Sequence, residues 1–528
     1  MLLNQSFSRK FNLNLLLVII LIAALVRIPF LATVPNGFFV DEAANGYEAY
    51  AILNTLHDSH GRFLPLFLKA VDDYRTALSA YIAIPFIKVF GLNEFATRLP
   101  AALLGILTVL VLYFLVQEIF NQQLALLAAL LLAISPWHVQ FSRVAFEAIL
   151  YPFFFCLALL FFFKGLKQAQ YLLVSAFVFG LCLCTYFSAR VFIPLFAICL
   201  VFIFRKDLWK TKRETLIAGI IFTIFFVFLI SFFLSSEGMA RVRAVGLVPE
   251  PLTLLQNYLS YFSPSFLFFN GDPNLRHSNQ KFGELYLFES ITVLLGVIFL
   301  ISSNKKQSYL LLCWLVLYPI PAFFTKAEHA IISIIGAPLF AILSAYGIYK
   351  LTTFISQDYR NTYKIIVILV VILSSIAFFK YYFLTYPKYS SEAWQFGARE
   401  AITYAENTSN SCVIVSSRVA YPISYFILFY TQYPPQVYQR SPIPVFTDKN
   451  FSLGEYHVVA PATRFQNGEL GQQLISIWQQ QQLSDRCLFI IKPDEMKAII
   501  ESDYTWQQVH AVKNPNGVEV IKLVQLTR

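Results

Sequence analysis

Residues 76–91 read TALSAYIAIPFIKVFG, and whether this run crosses a bilayer or lies along its surface decides the topology of all that follows. A spanning helix needs about 20 apolar residues and rarely fewer than about 17. Pro85 and Lys88 interrupt this one, so we read it as a helix at the membrane interface. On either side lie eleven cleaner apolar stretches, near residues 13–31, 98–117, 124–140, 148–163, 170–187, 191–204, 215–234, 286–303, 308–324, 329–349 and 365–385. The first follows Arg9 and Lys10 as a signal peptide would. Arg27-Ile-Pro-Phe offers no small-residue cleavage site, so this segment reads as a retained helix.

The composition agrees. Of 528 residues 57% are hydrophobic and only 13% charged, against about 25% charged in ordinary soluble domains. A soluble globular enzyme is excluded, and so is a disordered chain, which needs low hydrophobicity and high charge. The net charge of +10 would suggest nucleic acid in a soluble protein, but the positions of the charges matter more than their sum. With residues 76–91 interfacial and the N-terminus inside, fourteen basic residues, from Arg9 and Lys10 to Arg360 and Lys364, fall on the cytoplasmic side. The short outer loops carry three: Arg143, Arg190 and Lys326. That is the positive-inside bias, and a nucleic-acid partner falls away.

This topology places three larger segments outside: 32–97, 235–285 and 386–528. The expected organisation is a transmembrane domain, 1–385, whose outer loops 32–97 and 235–285 form the site, followed by a small extracytoplasmic α/β domain, 386–528. Short β-type runs mark the latter: CVIVSS, YHVVAPA, CLFIIKP and VEVIKLVQL. Cys412 and Cys487 each open such a run, as a disulfide pair or as two buried thiols. The other five cysteines sit in apolar spans as packing residues.

Just past the first span the chain reads NGFFVDEAANGYEAYAIL, residues 36–53, with Asp41 and Glu42 adjacent and Glu48 following. Carboxylates at an apolar boundary are costly unless they bind something, and a partly desolvated Asp suits a general base. The alternative is a helix start, with acidic groups at its positive end. Asp73, Tyr74, Arg75 and Arg98 flank the interfacial run as candidate substrate contacts. His57 and His60 read as solvated loop residues. ISPWHVQFSRVAFEAIL supplies Arg143 and Glu147, CTYFSARVF supplies Tyr186 and Arg190, and FFTKAEHAIIS supplies Lys326 and His329. Cations that recur against the topological bias point to an anionic ligand, phosphate being their usual partner; the alternative for each is snorkelling to lipid headgroups. In FFNGDPNLRHSNQKF, Gly271-Asp272-Pro273 is a turn signature, with Arg276 and His277 behind it as possible sugar or phosphate contacts.

The Asp-Glu pair after the first span, DYR before the interfacial helix, TRLPAALLG, SPWHVQFSR, TYFSARV and the loop YFSPSFLFFNGDPNLRHS together resemble bacterial polytopic glycosyltransferases of family 39. These are similar to protein mannosyltransferases and to the transferase that adds aminoarabinose to lipid A. The resemblance covers roughly residues 10–385. It implies a mostly α, C-type membrane fold with extracytoplasmic interfacial helices, in the plasma (inner) membrane, with the site and the C-terminal domain outside. It also implies inverting sugar transfer from a polyprenyl-phosphate donor to a lipid, glycan or protein acceptor. Carried onto this chain, the first-loop acid is Asp41 with Glu42 beside it, the second-loop acid is Glu147, and the mid-loop cation is Arg75. Arg143, Arg190, Lys326 and His329 would face the donor phosphate. No metal ligand set is readable, though a divalent cation on Asp41 or Glu147 is compatible. Two other readings stand beside this one: a glycan ligase using a lipid-diphosphate donor, and a lipid or sugar transporter. Against the latter, the mid-span stretches are nearly free of charge, where a transporter site usually lies.

Overall fold

The computed structural model describes residues 2–69, 74–235, 239, 250–324, 327–440, 442, 450–459, 474–476, 478–479, 486–496 and 504–527. Asp73 and Lys326, both candidate site residues, lie outside the described residues. By its contacts the chain forms two compact units. The first comprises residues 1–30, 73–79 and 99–382; the second comprises 31–72, 80–98 and 383–528. Composition alone draws a boundary at 385/386. In contacts, most of the first outer loop goes with the C-terminal region, because helix Val40–Thr55 packs on helices Ile423–Tyr430 and Pro435–Tyr438.

The first unit is helical. Each of the eleven apolar stretches contains a helix, but not all are long. Among the described residues four helices are long and apolar enough to cross a membrane: Glu94–Ile119, Glu147–Gly165, Ala189–Phe233 and Gln357–Leu384. A fifth qualifies if the bent pair Gln122–Ile134 and Pro136–Ser142 counts as one span. Shorter apolar helices such as Gln170–Leu183 and Glu289–Ile301 occupy other stretches. The interfacial candidate forms helix Leu78–Phe90, with Pro85 inside it. At 13 residues it is short of the roughly 20 that span hydrocarbon.

The bend of 59° in the pair has a local cause. Pro136 lacks an N–H and disfavours helical backbone in the residue before it, so the first helix stops. Ser135 caps the second helix by accepting from His138 N. The carbonyls orphaned at the break need donors. Arg27 supplies two, to Ala133 O at 2.7 Å and Leu132 O at 3.3 Å, and Tyr286 Oη donates to Ile134 O at 2.7 Å. Helices Glu289–Ile301 and Gly336–Phe354 approach at two glycines: a Cβ on Gly347 would strike the Thr292 carbonyl, and one on Gly296 the Leu343 carbonyl. Small residues at a crossing are the usual device for close packing in lipid.

The second unit contains a six-stranded mixed sheet. Its order is Phe451–Leu453, Tyr456–Val459, Cys412–Ser416, Cys487–Ile491, Glu519–Thr527, Thr505–Lys513. Tyr456–Val459 and Cys487–Ile491 pair in parallel with Cys412–Ser416, which lies between them. Cys412–Ser416 and Cys487–Ile491 are buried at every position, as parallel strands with both faces covered must be. Cys412 and Cys487 are direct register partners and are joined by a disulfide.

Candidate active site

In the second unit, helix Val40–Thr55 places Asp41 and Glu42 in its first turn, next to the N–H groups that favour negative charge. The two carboxylates have different surroundings. Glu42 is fully buried. Its Oε2 accepts from Phe39 N at 3.1 Å, and its two oxygens take the Arg98 guanidinium in a fork, Nε to Oε1 at 2.8 Å and Nη2 to Oε2 at 2.9 Å. Arg98 gives its remaining donors to the carbonyls of Leu31, Pro35 and Gly37 and lies over the rings of Phe38 and Trp394. Arg98 is thus wholly enclosed, not a surface contact for substrate, and Glu42 is held by it. Asp41 is half-buried, and its carboxylate has no hydrogen-bond or ion-pair partner among the described residues.

The Gly37 backbone carries this arrangement. Its φ is +117°, and a Cβ there would collide with the Trp394 backbone, 2.6 Å from its carbonyl oxygen. Only glycine suits such a position. Glu48, buried one turn and a half further on, accepts from Ser59 N at 2.9 Å and Ser59 Oγ at 2.5 Å. It pins the loop after the helix.

In the first unit, Glu147 opens a short turn, Glu147–Ile149, ahead of the helix that follows, and is half-buried. Arg143, expected at the donor phosphate, is fully buried and donates to the carbonyls of Val26, Arg27 and Pro29 at 2.9–3.0 Å. Those carbonyls belong to the turn that follows the first helix, Leu2–Leu25, and a buried guanidinium satisfies them where no backbone donor among the described residues does. Arg190 lies over the Phe233 ring at 3.9 Å, and Tyr186 is buried against Phe187. Tyr74 and Arg75 sit half-buried on the short strand Tyr74–Thr76. Arg276 accepts through its carbonyl from Gln140 Nε2 at 2.7 Å.

One cluster escaped the sequence reading. Asp272, His277 and His329 converge, with ligand atoms all within 4.8 Å of one another. Asp272 Oδ2 lies 2.9 Å from His277 Nδ1 and 3.6 Å from His329 Nδ1, the two imidazoles stack at 4.8 Å, and Ala330 N donates to the same oxygen at 2.8 Å. Burial alone would raise the Asp272 carboxyl. The hydrogen bond from His277 and the charges of both histidines outweigh it and hold the group below the ordinary carboxylate range. Two imidazoles and a carboxylate are a donor set that suits Zn²⁺. Adding Zn²⁺ to metal-stripped protein is expected to raise its melting temperature by several degrees, and His277→Ala should abolish the rise. An equal rise in that variant would exclude the cluster as the ligand set.

Behind the cluster, Glu284 Oε1 accepts from Asp272 N at 3.1 Å. Burial first, and then the Asp272 charge, push its carboxyl far above the usual range. The folded state therefore keeps a proton that the unfolded chain releases near pH ~4.3, so stability falls as pH rises from there until the raised pKa is passed. Glu284→Gln keeps the acceptor and removes the titration. Its melting temperature should decline less than that of wild type between pH 5 and 8; parallel curves would refute a protonated Glu284.

Residues 75–231 match the family model for dolichyl-phosphate-mannose-protein mannosyltransferases. A protein of Bacillus subtilis (strain 168) named "Putative mannosyltransferase YkcB" is 26% identical over 178 residues, 33% of this chain and 24% of that protein. The match thus spans about a quarter of its relative's length. Among solved structures, ArnT from Cupriavidus metallidurans in the apo state aligns over 99% of this chain and 98% of its own, with a TM-score of 0.61 and 10% identity. The same protein bound to undecaprenyl phosphate aligns with a TM-score of 0.58 at 11% identity, over 98% of each chain. The oligosaccharyltransferase of Archaeoglobus fulgidus aligns over 98% of this chain and 74% of its own, with a TM-score of 0.57 and 13% identity. The fold is therefore that of these membrane glycosyltransferases.

Proposed function

We propose that this chain moves a sugar from a polyprenyl-phosphate donor to an acceptor at the outer face of the membrane, with inversion at the anomeric carbon and Asp41 as general base. The observation that carries this reading is the division of labour between neighbours: Glu42 is taken by Arg98, while Asp41, at the same helix start, has a carboxylate with no partner among the described residues. The mannosyltransferase family match and the undecaprenyl phosphate held by the similar ArnT support the donor class.

In the proposed step the acceptor hydroxyl gives its proton to Asp41 as its oxygen attacks the anomeric carbon. The bond from that carbon to the phosphate oxygen breaks, and the electron pair leaves with the polyprenyl phosphate. Phosphate needs no strong general acid, but its growing charge needs cations, a large contribution to catalysis. Arg190 and Lys326 are proposed for that role, with His329, Arg276 and His277 as contacts to donor phosphate or sugar. Glu147, Asp73, Tyr74, Arg75 and Tyr186 remain candidates for orienting substrate. Glu42 and Arg98 are positioning residues, and Arg143 braces the turn after the first helix.

The proposed topology keeps eleven crossings, several made by short helices, with the N-terminus inside and residues 386–528 outside. An accessibility tag between Gln117 and Gln123 should report from the cytoplasm; an outer signal would overturn that assignment. The function itself is tested by offering the purified chain a panel of short-chain polyprenyl-phosphate sugars. Release of free polyprenyl phosphate from at least one is the expected result. Consumption of lipid-diphosphate donors alone would favour a glycan ligase instead.

A further inference from the structure

The second unit carries a half-open cavity of about 510 Å³ that none of the proposed chemistry uses. Its size is within the range of small-ligand sites. The lining combines flat aromatic faces with fixed hydrogen-bonding groups. Tyr404 and His510 stack at 4.7 Å with ring planes 10° apart, and His510 Nε2 lies 2.9 Å from Glu400 Oε1. Opposite charges meet at Glu94, whose side chain is only 7% exposed. Its Oε1 takes both Tyr430 Oη at 3.1 Å and Arg399 Nη1 at 3.4 Å. Glu94, nine-tenths buried, lines the cavity, and its Oε2 has no partner among the described residues.

Two carboxylates against one guanidinium disfavour a phosphate or other anion. A small apolar ligand would leave Oε2 and the cavity's amide groups, such as Asn407, unpaired, at a desolvation cost. A hydroxyl-rich ring satisfies both kinds of surface. Its O–H groups donate to carboxylate oxygens and accept from guanidinium and amide N–H groups, while its C–H face lies on an aromatic ring. The cavity also touches the start of the proposed catalytic helix. Gly37 and Phe38, four and three residues before Asp41, form part of its wall. Gln395, also lining it, accepts from Val40 N at 3.0 Å and donates to Tyr421 O at 2.8 Å.

We infer that this cavity binds a neutral or amino sugar, and that the sugar belongs to the acceptor. The binding site stands on its own geometry; its assignment to the acceptor rests on the function proposed above. An occupant that moved Gln395 would also move the N–H anchor of the Asp41 helix, which couples acceptor binding to the base.

The test uses the full chain in detergent and saturation-transfer NMR with the methyl glycosides of mannose, glucose, galactose, N-acetylglucosamine and galactosamine. Saturable binding of at least one is expected. Arg399→Ala and Asn407→Trp, both at exposed positions, should weaken it tenfold or more while leaving the melting temperature and the hydrolysis of polyprenyl-phosphate sugar by water unchanged. Asp41→Asn should still bind the glycoside. Absence of binding across the panel, or binding that survives both cavity variants, overturns the inference. Binding with the expected mutant pattern but no turnover of any polyprenyl-phosphate donor overturns the function reading and the acceptor assignment, while the sugar site stands.

Discussion

Asp41→Asn is expected to reduce sugar transfer by about 10²–10⁴-fold, the usual contribution of a positioned general base, while donor binding and melting temperature stay near wild type. Asparagine has nearly the same shape and still sits at the helix start, so the fold keeps its contacts. It lacks the basic oxygen that accepts the acceptor's proton. Because Asp41 has no hydrogen-bond or ion-pair partner among the described residues, the substitution orphans nothing. Neighbouring Glu42 cannot substitute for it: both its oxygens are taken by Arg98. The check is a paired measurement of initial rate and of donor Kd. Unchanged rate in the variant would remove Asp41 from the chemistry; lost donor binding would make it a donor contact instead of a base.

Arg98→Met should act in the opposite way, on stability first. The pair with Glu42 is fully buried, with no side-chain exposure on either partner. Removing one member of a buried pair leaves the other charge uncompensated, at a cost of about 3–5 kcal/mol. Three carbonyls that Arg98 now satisfies, those of Leu31, Pro35 and Gly37, would also lose a donor. The variant should melt well below wild type or fail to accumulate. The double variant Arg98→Met with Glu42→Leu removes both charges and should regain part of the loss, since apolar replacement of a whole buried pair is often tolerated. A single variant as stable as wild type would show that the pair does not organise the Asp41 helix start.

The fold was largely legible because its signals are local. Eleven apolar stretches each hold a helix, and CVIVSS, YHVVAPA, CLFIIKP and VEVIKLVQL each contain a strand. The edge strand Thr505–Lys513 was not visible, since TWQQVHAVK carries too few apolar residues to stand out. The break before Pro136 was written in the sequence but was absorbed into the run 124–140, whose hydrophobicity hides the change of direction. In the site, Asp41 and Glu42 were recognisable as a pair, yet nothing local distinguishes them. Their difference comes from Arg98, 56 residues away, through a side chain whose burial only the fold creates. Arg143 shows the same limit: its hydrogen bonds to the carbonyls of Val26, Arg27 and Pro29, more than 110 residues away, have no local signal in the sequence. Asp272 read as a turn residue, and its meeting with His329 is long-range.

The most direct test of the central claim is the anomeric configuration of the product formed from a polyprenyl-phosphate sugar of defined configuration, read by proton NMR. One displacement with Asp41 as base predicts a product of inverted configuration. A product with the donor's configuration retained would require a second displacement at the anomeric carbon and would contradict the account.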